Sequence, residues 1–326
     1  MRAGLWCAGL ALSAGLASGA GAATPMVARA VAGGAACDEA CLTTMVDRYL
    51  AGQIGHLRNH APIAKSARYT ENAVRIPFDR GLWKTLTAVG AYRHIVADPT
   101  TGSVALFGTI EEGGTPGLVL LRLKVVNHEI VEAEALVPRG AVGALGGKDA
   151  APKPVWNTML GAGDRSPRAK MIEIANSYFD ALIKGDGSLA PFDPSCTRVE
   201  NGVQQTNVAD AKTPVDPAKP GLVLNALGCS AQISTGVTRH IQSVTPRRIY
   251  AVDEARGVVF GMFRLRVPGD ITEFDAPGFG KVKMPVADIH PFDAEVGMAF
   301  KIRNGRIVET EAVSMSLLYG SKTGWE

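Results

Sequence analysis

The sequence predicts an α+β protein made of two related cone-shaped domains, and three observations support this prediction. The stretch "RYTENAVRIPF" at 68–78 returns in altered form 129 residues later as "TRVENGVQQTN" at 197–207. Each copy begins with a helical pattern and continues with segments in which apolar and polar residues alternate, as they do in strands. A stretch rich in Gly, Pro and Ala separates the copies. We therefore expect N-terminal helices packed on a curved antiparallel sheet in each domain.

The internal alignment keeps one order through both copies. At a constant offset of 129, Tyr49 aligns with Tyr178 and Glu71 aligns with Glu200. The offset grows to 155 and then to 177, because the second copy carries two insertions. This conserved order indicates a duplicated domain. The predicted boundaries are a signal peptide at 1–23, a first domain at 37–138, a linker at 139–165 and a second domain at 166–326.

Each domain opens with an amphipathic helix, and its apolar positions recur at helical spacing. In the second copy, Ser166 and Pro167 supply a cap and a first-turn proline. The stripes are Leu42, Met45, Val46, Tyr49 and Leu50 in the first copy and Met171, Ile174, Ala175, Tyr178 and Leu182 in the second. Later, "NHEI" and "NGRI" fall between strand-like runs, as hairpin turns do. The insertions at 208–229 and 267–290 are expected to be loops that serve either as lids or as plain surface excursions.

The N-terminus and the cysteines predict a periplasmic or secreted protein. One arginine, an apolar run and then small residues are typical of a signal peptide, while the short run argues against a membrane anchor. No later segment has about 20 consecutive apolar residues, so we expect no membrane partner after cleavage. The remaining even cysteine count favours the disulfides Cys37–Cys41 and Cys196–Cys229. The first pair could instead be reduced or bind metal, but no second close pair completes a zinc site, and we expect no metal.

Charge and missing motifs exclude several function classes. The net charge of +3 comes from 34 basic and 31 acidic residues scattered along the chain, so nucleic acid is not an expected partner. The sequence has no phosphate loop, no dinucleotide fingerprint, no Gly-x-Ser-x-Gly and no His-Glu-x-x-His. We therefore expect no cofactor.

Several motifs carry a family resemblance: the tyrosine-containing first helix, "YTENAVRIP" and "RVENGVQ", "CDEAC", "GLW", "ADPTTG" and the closing "NGRIVETE" hairpin. Together they resemble the nuclear transport factor 2-like (SnoaL-like) superfamily, which includes polyketide cyclases, scytalone dehydratase and ketosteroid isomerase. More narrowly, they look like a secreted fungal and bacterial family of tandem copies whose function is mostly unassigned. The resemblance implies a conical apolar pocket in which a carboxylate, histidine or tyrosine moves a proton without a cofactor. One member type eliminates formaldehyde from lignin-derived diaryl compounds.

The Glu-Asn pairs, Glu71-Asn72 and Glu200-Asn201, have two interpretations. Each glutamate could be a base whose pKa is raised by apolar walls. Alternatively, Asn-Gly marks a tight turn, and the alanine in the first copy leaves a bulge or another role open. Side chains alternate between the two faces of a strand. If Val74 faces the interior, Glu71 and Tyr69 point away from it.

The segment 81–99 concentrates aromatic and basic residues that have no counterpart in the second copy. Trp83 and Tyr92 could stack on an aromatic substrate, Arg93 could hold an oxyanion and His94 could carry a proton. The other interpretation is an aromatic core with a surface Arg-His pair. We take His94, Glu71 and Tyr92 as catalytic candidates. The substrate-binding candidates are Trp83, Arg93, Tyr69, Asn72, Tyr49, Glu200, Asn201, His240 and His290.

Other polar residues are assigned structural roles. His56 and His60 have the spacing of a helical metal pair, but no third ligand follows, which favours solvated histidines. The alternating glutamates Glu132, Glu134, Glu309 and Glu311 are expected to form cross-strand ion pairs with Lys124 and Lys301. Asp98 and Asp253 are expected to make turns.

Two functions remain from this reasoning. The first is an exported, cofactor-independent lyase or isomerase acting on a small apolar or aromatic molecule, such as a lignin-derived dimer that loses formaldehyde. The second is a non-catalytic tandem module that binds a ligand or a protein. In both, the copies form a pseudo-dimer, and a further homodimer is left open. The divergence between the copies favours the enzyme, with chemistry in one pocket.

Overall fold

A computed structural model of the protein describes residues 37–139, 150–208, 224–278, 280–284 and 288–326. The predicted signal peptide, part of the predicted linker and most of the first insertion lie outside these ranges. Within the described ranges, every helix is too short or too polar to cross a membrane.

The two halves contain the same series of elements. The first half contains α1 (Glu39–Ile54), β1 (Ile63–Glu71), β2 (Val74–Arg75), α2 (Leu82–Thr85), β3 (Leu86–Asp98), β4 (Ser103–Glu112), β5 (Thr115–Val126) and β6 (Glu129–Leu136). After a short helix α3 (Pro154–Asn157), the second half contains α4 (Arg168–Lys184), β7 (Phe192–Glu200), β8 (Val203–Gln204), α5 (Cys229–Ser234), β9 (Ser243–Asp253), β10 (Val258–Val267), β11 (Glu273–Ala276), β12 (Gly280–Lys283), β13 (Phe292–Arg303) and β14 (Arg306–Leu318). Single 3-10 turns lie at Arg58–His60, Ala162–Asp164 and Gly187–Leu189.

The sheets confirm the predicted α+β class and the duplication. Their strand orders, β2-β1-β6-β5-β4-β3 and β8-β7-β14-β13-β10-β9, correspond strand for strand. Each expected antiparallel sheet also contains one parallel pair, since β1 pairs in parallel with β6, and β7 pairs in parallel with β14. This follows from the topology: the chain crosses to the far edge at β3 or β9, and the meander brings the last strand back beside the first. Register shifts in β3 and β9 mark bulges, which bend a sheet.

The opening helices bury the predicted stripes. Every apolar residue predicted for the two stripes is buried. Asp38 caps α1 by accepting a hydrogen bond from the Cys41 backbone N–H at 2.9 Å, as N-cap aspartates do. Ser166 does not cap α4, since the helix begins after Pro167 without a side-chain cap bond.

The predicted hairpin turns are confirmed by their backbone. Asn127-His128 and Asn304-Gly305 have positive φ at both positions, as do Asn72-Ala73 and Asn201-Gly202. Two successive positive φ angles belong to a type I′ turn, which matches the twist of the strands. Ala73, at φ 63°, therefore occupies the same turn position as Gly202 in the second copy. The first copy forms the same tight turn and not a bulge.

The outer faces of the two sheets contact each other. One apolar cluster draws residues from both halves and also includes Trp156 of α3, from the predicted linker. Its residues are Tyr92, Val96, Ala105, Phe107, Leu120, Leu136, Trp156, Ala251, Val258, Phe260, Met262, Ala299 and Val313. The halves are thus joined by a continuous buried surface, which we call the central interface.

None of the four alternating glutamates pairs with Lys124 or Lys301 among the described residues, and two of them, Glu134 and Glu311, pair across the central interface. Glu134 accepts from Arg248 Nη2 at 2.9 Å, and Glu311 accepts from His94 Nδ1 at 2.7 Å. Lys124 and Lys301 instead donate to the backbone carbonyls of Thr101 and Arg256 in the preceding turns. The long lysine side chain reaches the end of the hairpin, where an unpaired carbonyl is available. The expected lysine partners were therefore wrong, although cross-strand ion pairs do form between Arg122 of β5 and Glu132 and Glu134 of β6.

Asp98 makes its turn, as predicted, and also links the halves. It accepts from the Thr100 backbone N–H at 3.0 Å, from the Val252 backbone N–H at 3.0 Å and from Arg168 at 2.5 Å. Burial opposes ionisation of Asp98, but these hydrogen bonds outweigh it and hold its pKa below the usual value.

Both predicted disulfides are present. Cys37 is bonded to Cys41 at the start of α1, and Cys196 of β7 is bonded to Cys229 of α5. The second bond ties a sheet strand to the segment that replaces α2 in the second half. Two disulfides fit an oxidising compartment.

We expect the two disulfides to stabilise the fold unequally. Their sequence separations are 33 and 4. Replacing Cys196 and Cys229 by serine should lower the free energy of unfolding by about 4 kcal/mol, against about 2 kcal/mol for Cys37 and Cys41, because the longer loop loses more entropy on closure. Urea denaturation of both double variants measures this difference. Equal losses would contradict the assignment of α5 as the more strongly tethered element.

We also expect Glu311 to hold the central interface together. Glu311→Ala leaves two buried donors, Tyr92 and His94, without their acceptor and should cost about 3 kcal/mol or more. Glu311→Gln, which keeps one acceptor oxygen, should cost less. The matched control is Glu129→Ala at an exposed position, which should change stability by less than about 0.5 kcal/mol. If urea denaturation gives Glu311→Ala and Glu129→Ala the same small loss in free energy of unfolding, this role of Glu311 is refuted.

Candidate functional site

The interior of the first half is filled by its own side chains. Phe78, Leu82 and Trp83, which we call the aromatic plug, are buried between α1 and the sheet. Trp83 Nε1 donates to the Tyr49 hydroxyl at 2.9 Å, and the Phe78 ring lies 5.7 Å from the Trp83 ring and 5.3 Å from that of Tyr69. Burial raises the pKa of Tyr49 well above its usual value. Trp83 and Tyr49 were predicted to bind substrate, but in the structure their polar atoms are hydrogen-bonded to each other.

Glu71 is an anchor for the aromatic plug. Its Oε2 accepts from the Tyr69 hydroxyl and from the Leu82 backbone N–H, both at 2.7 Å, and its Oε1 accepts from Arg139 at 3.0 Å. The left-handed residue Gly81 permits this approach, since a Cβ there would lie 2.1 Å from Glu71 Oε2. With three donors around it, Glu71 is placed as a structural acceptor and not as a base.

The predicted direction of Glu71 and Tyr69 was wrong. Both side chains point inward and are buried, whereas Val74 is 60% exposed. Strand β2 has two residues, both exposed, so the alternation of β1 does not continue through it.

Asn72 and Asn201 have one structural role in both halves. Asn72 Oδ1 accepts from the Val137 backbone N–H at 2.8 Å, and Asn201 Oδ1 accepts from the Ser314 backbone N–H at 2.9 Å. Val137 and Ser314 are themselves aligned at the offset of 177. Each asparagine therefore fastens the turn to the end of the last strand, in agreement with the turn interpretation of the Glu-Asn pair.

His94 and Tyr92 lie in the central interface and do not line a pocket. His94 is 2% exposed, and its ring lies 4.4 Å from that of Trp156. Tyr92 donates to Glu311 at 2.8 Å, and burial, with the Glu311 charge adding to it, raises the pKa of Tyr92 well above the usual value. The structure thus separates His94 and Tyr92 from Glu71, which faces the opposite side of the first sheet. The candidates of segment 81–99 therefore do not share one site.

His94 corresponds to an arginine in the second half. His94 is paired with Phe107, and Arg248 is paired with Met262, which aligns with Phe107 at the offset of 155. Each of the two contacts a glutamate on the last strand of the other half. The most favoured catalytic candidate is therefore one of two equivalent interface residues.

The remaining first-half candidates also lie away from a pocket. Arg93 forms an ion pair with Asp47 at the surface. His56 Nδ1 contacts the Trp83 carbonyl oxygen at 3.0 Å, and His60 is exposed, as expected of solvated histidines. In the second half, His290 is exposed on the insertion.

The second half contains a cavity of about 400 Å³ where the first half has its plug. The segment that corresponds to α2 is replaced by α5, which the Cys196–Cys229 disulfide holds against β7. Apolar side chains form much of the wall: Phe179, Leu182, Val237, Ile241, Leu265, Val267, Phe292, Val296 and Met298. Two predicted binding residues, Glu200 and His240, line it, together with Tyr178, the counterpart of Tyr49.

The polar residues of the cavity come from alternate positions of two paired strands. In the parallel register, Arg198 of β7 is the partner of Thr310 on β14, and Glu200 is the partner of Ala312. All four line the cavity, while Glu309 and Glu311 of the same strand point to the other side. Period-two alternation thus lets β14 serve both the cavity and the central interface.

Glu200, His240 and Asp288 form an acid–base group in this cavity. Ser314 Oγ donates to Glu200 Oε1 at 2.9 Å, which orients the carboxylate. His240 Nδ1 lies 2.9 Å from the Val237 carbonyl oxygen and donates to it, leaving Nε2 as the acceptor of the neutral ring. Burial raises the pKa of Asp288; the nearby His240 lowers it and the Glu200 charge raises it further. Two carboxyl groups and one imidazole in one cavity provide the types of group that act as general acids and bases.

Sequence reasoning missed Arg198, Asp288 and Thr310. The internal alignment held a signal for two of them, since Arg198 aligns with Tyr69 and Thr310 aligns with Ala133. Polar residues at positions where the other copy is apolar or aromatic mark the half that changed its interior. Asp288 lies in an insertion without a counterpart, so no alignment could indicate it.

Cys37, Cys41 and His128 are close enough to one another to hold a metal ion. The two sulfurs are bonded to each other, and a disulfide sulfur is not a thiolate ligand. These residues do not fit a metal site in the oxidised protein.

Comparison with known proteins matches residues 164–314 to the family described as Domain of unknown function (DUF8021). No curated protein sequence matches the chain. Among solved structures, a proposed isomerase from Bacillus subtilis is 13% identical, with 45% of this chain and 87% of that chain covered at a TM-score of 0.27. A proposed SnoaL-like polyketide cyclase from Jannaschia sp. CCS1 is 14% identical, with 46% and 90% covered at a TM-score of 0.26. A proposed polyketide cyclase from Streptomyces antibioticus is 17% identical, with 44% and 91% covered at a TM-score of 0.26.

We expect removal of the aromatic plug to open the first interior. Trp83→Ala should lower the free energy of unfolding by about 3–5 kcal/mol, because it leaves a large cavity and removes the Tyr49 hydrogen bond. Indole should partly restore the stability of this variant, measured as a rise in melting temperature, and should not raise that of the wild type by the same amount. A loss below about 1 kcal/mol would show that Trp83 does not fill the interior.

Proposed function

We propose that the protein is an exported, cofactor-independent enzyme whose second half isomerises or cleaves a small apolar or aromatic molecule by proton transfer. The observation that carries this proposal is the apolar cavity in which Glu200, His240 and Asp288 lie together. The first half, whose interior is filled, supports the second through the central interface and carries no chemistry.

The cavity residues divide into a base and an acid. Glu200, oriented by Ser314, removes a proton from the substrate. Asp288, whose raised pKa keeps it protonated to higher pH than an ordinary aspartate, returns a proton to the leaving group. His240 lies beside Asp288 and can relay the proton through Nε2. Separate environments for two carboxyl groups are how one site supplies both functions.

For a diaryl propanediol the reaction is a balanced elimination. The base takes the proton of the terminal hydroxyl, whose carbon leaves as formaldehyde when the C–C bond breaks. The electrons of that bond form a C=C bond and expel the benzylic hydroxyl, which leaves as water with the proton from the acid. The products are a stilbene, formaldehyde and water, so no redox cofactor is consumed. The apolar wall suits the aromatic rings.

Export is part of the proposal. The signal-peptide pattern motivates it, and the two disulfides support an oxidising compartment.

The test uses the mature chain with a panel of lignin-type dimers. We expect release of formaldehyde and a conjugated chromophore. In Glu200→Gln, kcat should fall at least 100-fold, and His240→Ala and Asp288→Asn should each also lower kcat. The matched control is Glu173→Gln, an exposed acid on α4, which should leave turnover unchanged. Binding of these dimers without turnover would contradict catalysis and favour the binding module. Unchanged turnover in Glu200→Gln would refute the base.

The pH profile provides an independent readout for Asp288. Because its folded-state pKa is raised, its protonated form persists above the usual range and is lost as the pH rises through that value. Activity that needs the acid should therefore fall on the alkaline side, and Asp288→Asn should remove that limb.

A further inference from the structure

Two donors in the cavity have no role in the proton transfer proposed above. Arg198 and Thr310 are register partners on β7 and β14, so their side chains leave the sheet side by side on the cavity face. The Thr310 residue is 1% exposed, and its hydroxyl has no hydrogen-bond partner among the described residues. A buried hydroxyl without a partner is costly, which indicates a group that the bound ligand supplies.

Arg198 also has no counter-ion among the residues that the structure describes. Its Nη1 donates to Gln232 Oε1 at 2.5 Å, and its guanidinium lies 5.9 Å from the Tyr178 ring centre. Among the described residues it forms no ion pair, although most other partly buried arginines of the sheets do, such as Arg248 and Arg264. A partly buried arginine held by an amide and an aromatic ring keeps N–H donors for an anion.

The duplication provides an internal comparison for this pair. The corresponding positions in the filled half are Tyr69 and Ala133, which are also register partners. In the filled half the pair has no charge, and its one donor, the Tyr69 hydroxyl, is already bonded to Glu71. In the open half the pair consists of a guanidinium and a hydroxyl on the cavity wall. The neighbouring acid did not change, since Glu71 corresponds to Glu200. The fold that the two halves share does not require Arg198 and Thr310, because the filled half has other residues at both positions. The two donors occur only in the half that has the cavity.

We propose that the ligand of the second-half cavity is an aromatic or apolar carboxylic acid, whose carboxylate binds Arg198 and Thr310. One carboxylate oxygen accepts from the guanidinium and the other from the threonine hydroxyl. The Nη1 group of Arg198 is already bonded to Gln232, so the pair offers an anion the rest of the guanidinium and one hydroxyl. These two donor groups match the two oxygens of a carboxylate better than the three of a phosphate. Phe179, Val296 and Met298 then contact the hydrocarbon body.

This inference rests on the cavity of the proposed function, but its test needs no turnover. Calorimetric titration of the mature chain with 2-naphthoate and with its neutral isostere 2-naphthamide measures the preference directly. We expect the acid to bind the wild type at least tenfold more tightly than the amide. Comparable affinities, or no binding of the acid, would overturn the proposal.

Variants locate the preference at the two donors. Arg198→Gln should weaken acid binding at least tenfold and bring it to the level of the amide, while Arg198→Lys should retain part of the preference. Thr310→Val should weaken acid binding about threefold to tenfold. Unchanged amide binding in these variants shows that the cavity is still folded. An acid affinity that Arg198→Gln leaves unchanged would refute the site.

The chain offers a matched control for the threonine. Thr70 is also 1% exposed with a hydroxyl lacking a partner among the described residues, but it is the register partner of Glu134 and faces the central interface. Thr70→Val and the exposed Arg80→Gln should leave acid binding unchanged. Acid preference without turnover of any dimer would leave this inference standing and remove the catalytic proposal; turnover with no acid preference would do the reverse.

Discussion

The structure depends on two carboxylates that are buried at the contact between the halves. Glu134 and Glu311 occupy equivalent positions on the last strand of each half and are 2% and 3% exposed. A buried carboxylate is tolerated when hydrogen-bonded cations or donors surround it. Glu311 finds them on the other half, in Tyr92 and His94, and Glu134 accepts from Arg248 of the other half as well as from Arg122 of its own. When the two halves cover each other's apolar residues at the central interface, Glu134 and Glu311 are buried too and must be paired. Each half therefore completes the outer face of the other.

This constraint explains why one sheet serves two purposes. Along β14, the residues that point outward build the central interface, and their neighbours that point inward line the cavity. The outward positions have the same chemistry in both halves, with a glutamate aligned to a glutamate. The inward positions were free to change, and they did: Tyr69 and Ala133 became Arg198 and Thr310. A filled half thus gives rigid support to an open one, since a packed aromatic interior resists deformation.

The sequence was sufficient for features that depend on local patterns. Helical stripes, positive-φ turns and cysteine pairs follow from spacing and residue chemistry, and the repeat itself indicated the duplicated fold. The location of the site depended on contacts that local patterns do not contain. Nothing near Trp83 indicates that its ring fills an interior, and His94 meets a glutamate 217 residues away. Arg198 and Thr310 become neighbours through the parallel pairing of the first and last strands, 112 positions apart in the chain.

The long separation between His94 and Glu311 has a consequence for biosynthesis. At about 5–20 residues per second, the ribosome needs roughly 10–40 s to add the 217 residues between them. From the completion of β6 until β14 is made, the first half has its strands but not the surface that covers them, and Tyr92 and Phe107 remain exposed on its outer face. A newly made chain therefore exposes this apolar face until β14 is made, and exposed apolar surface of this kind promotes aggregation. Aggregation of nascent chains, more than unfolding of the finished protein, would then limit its yield.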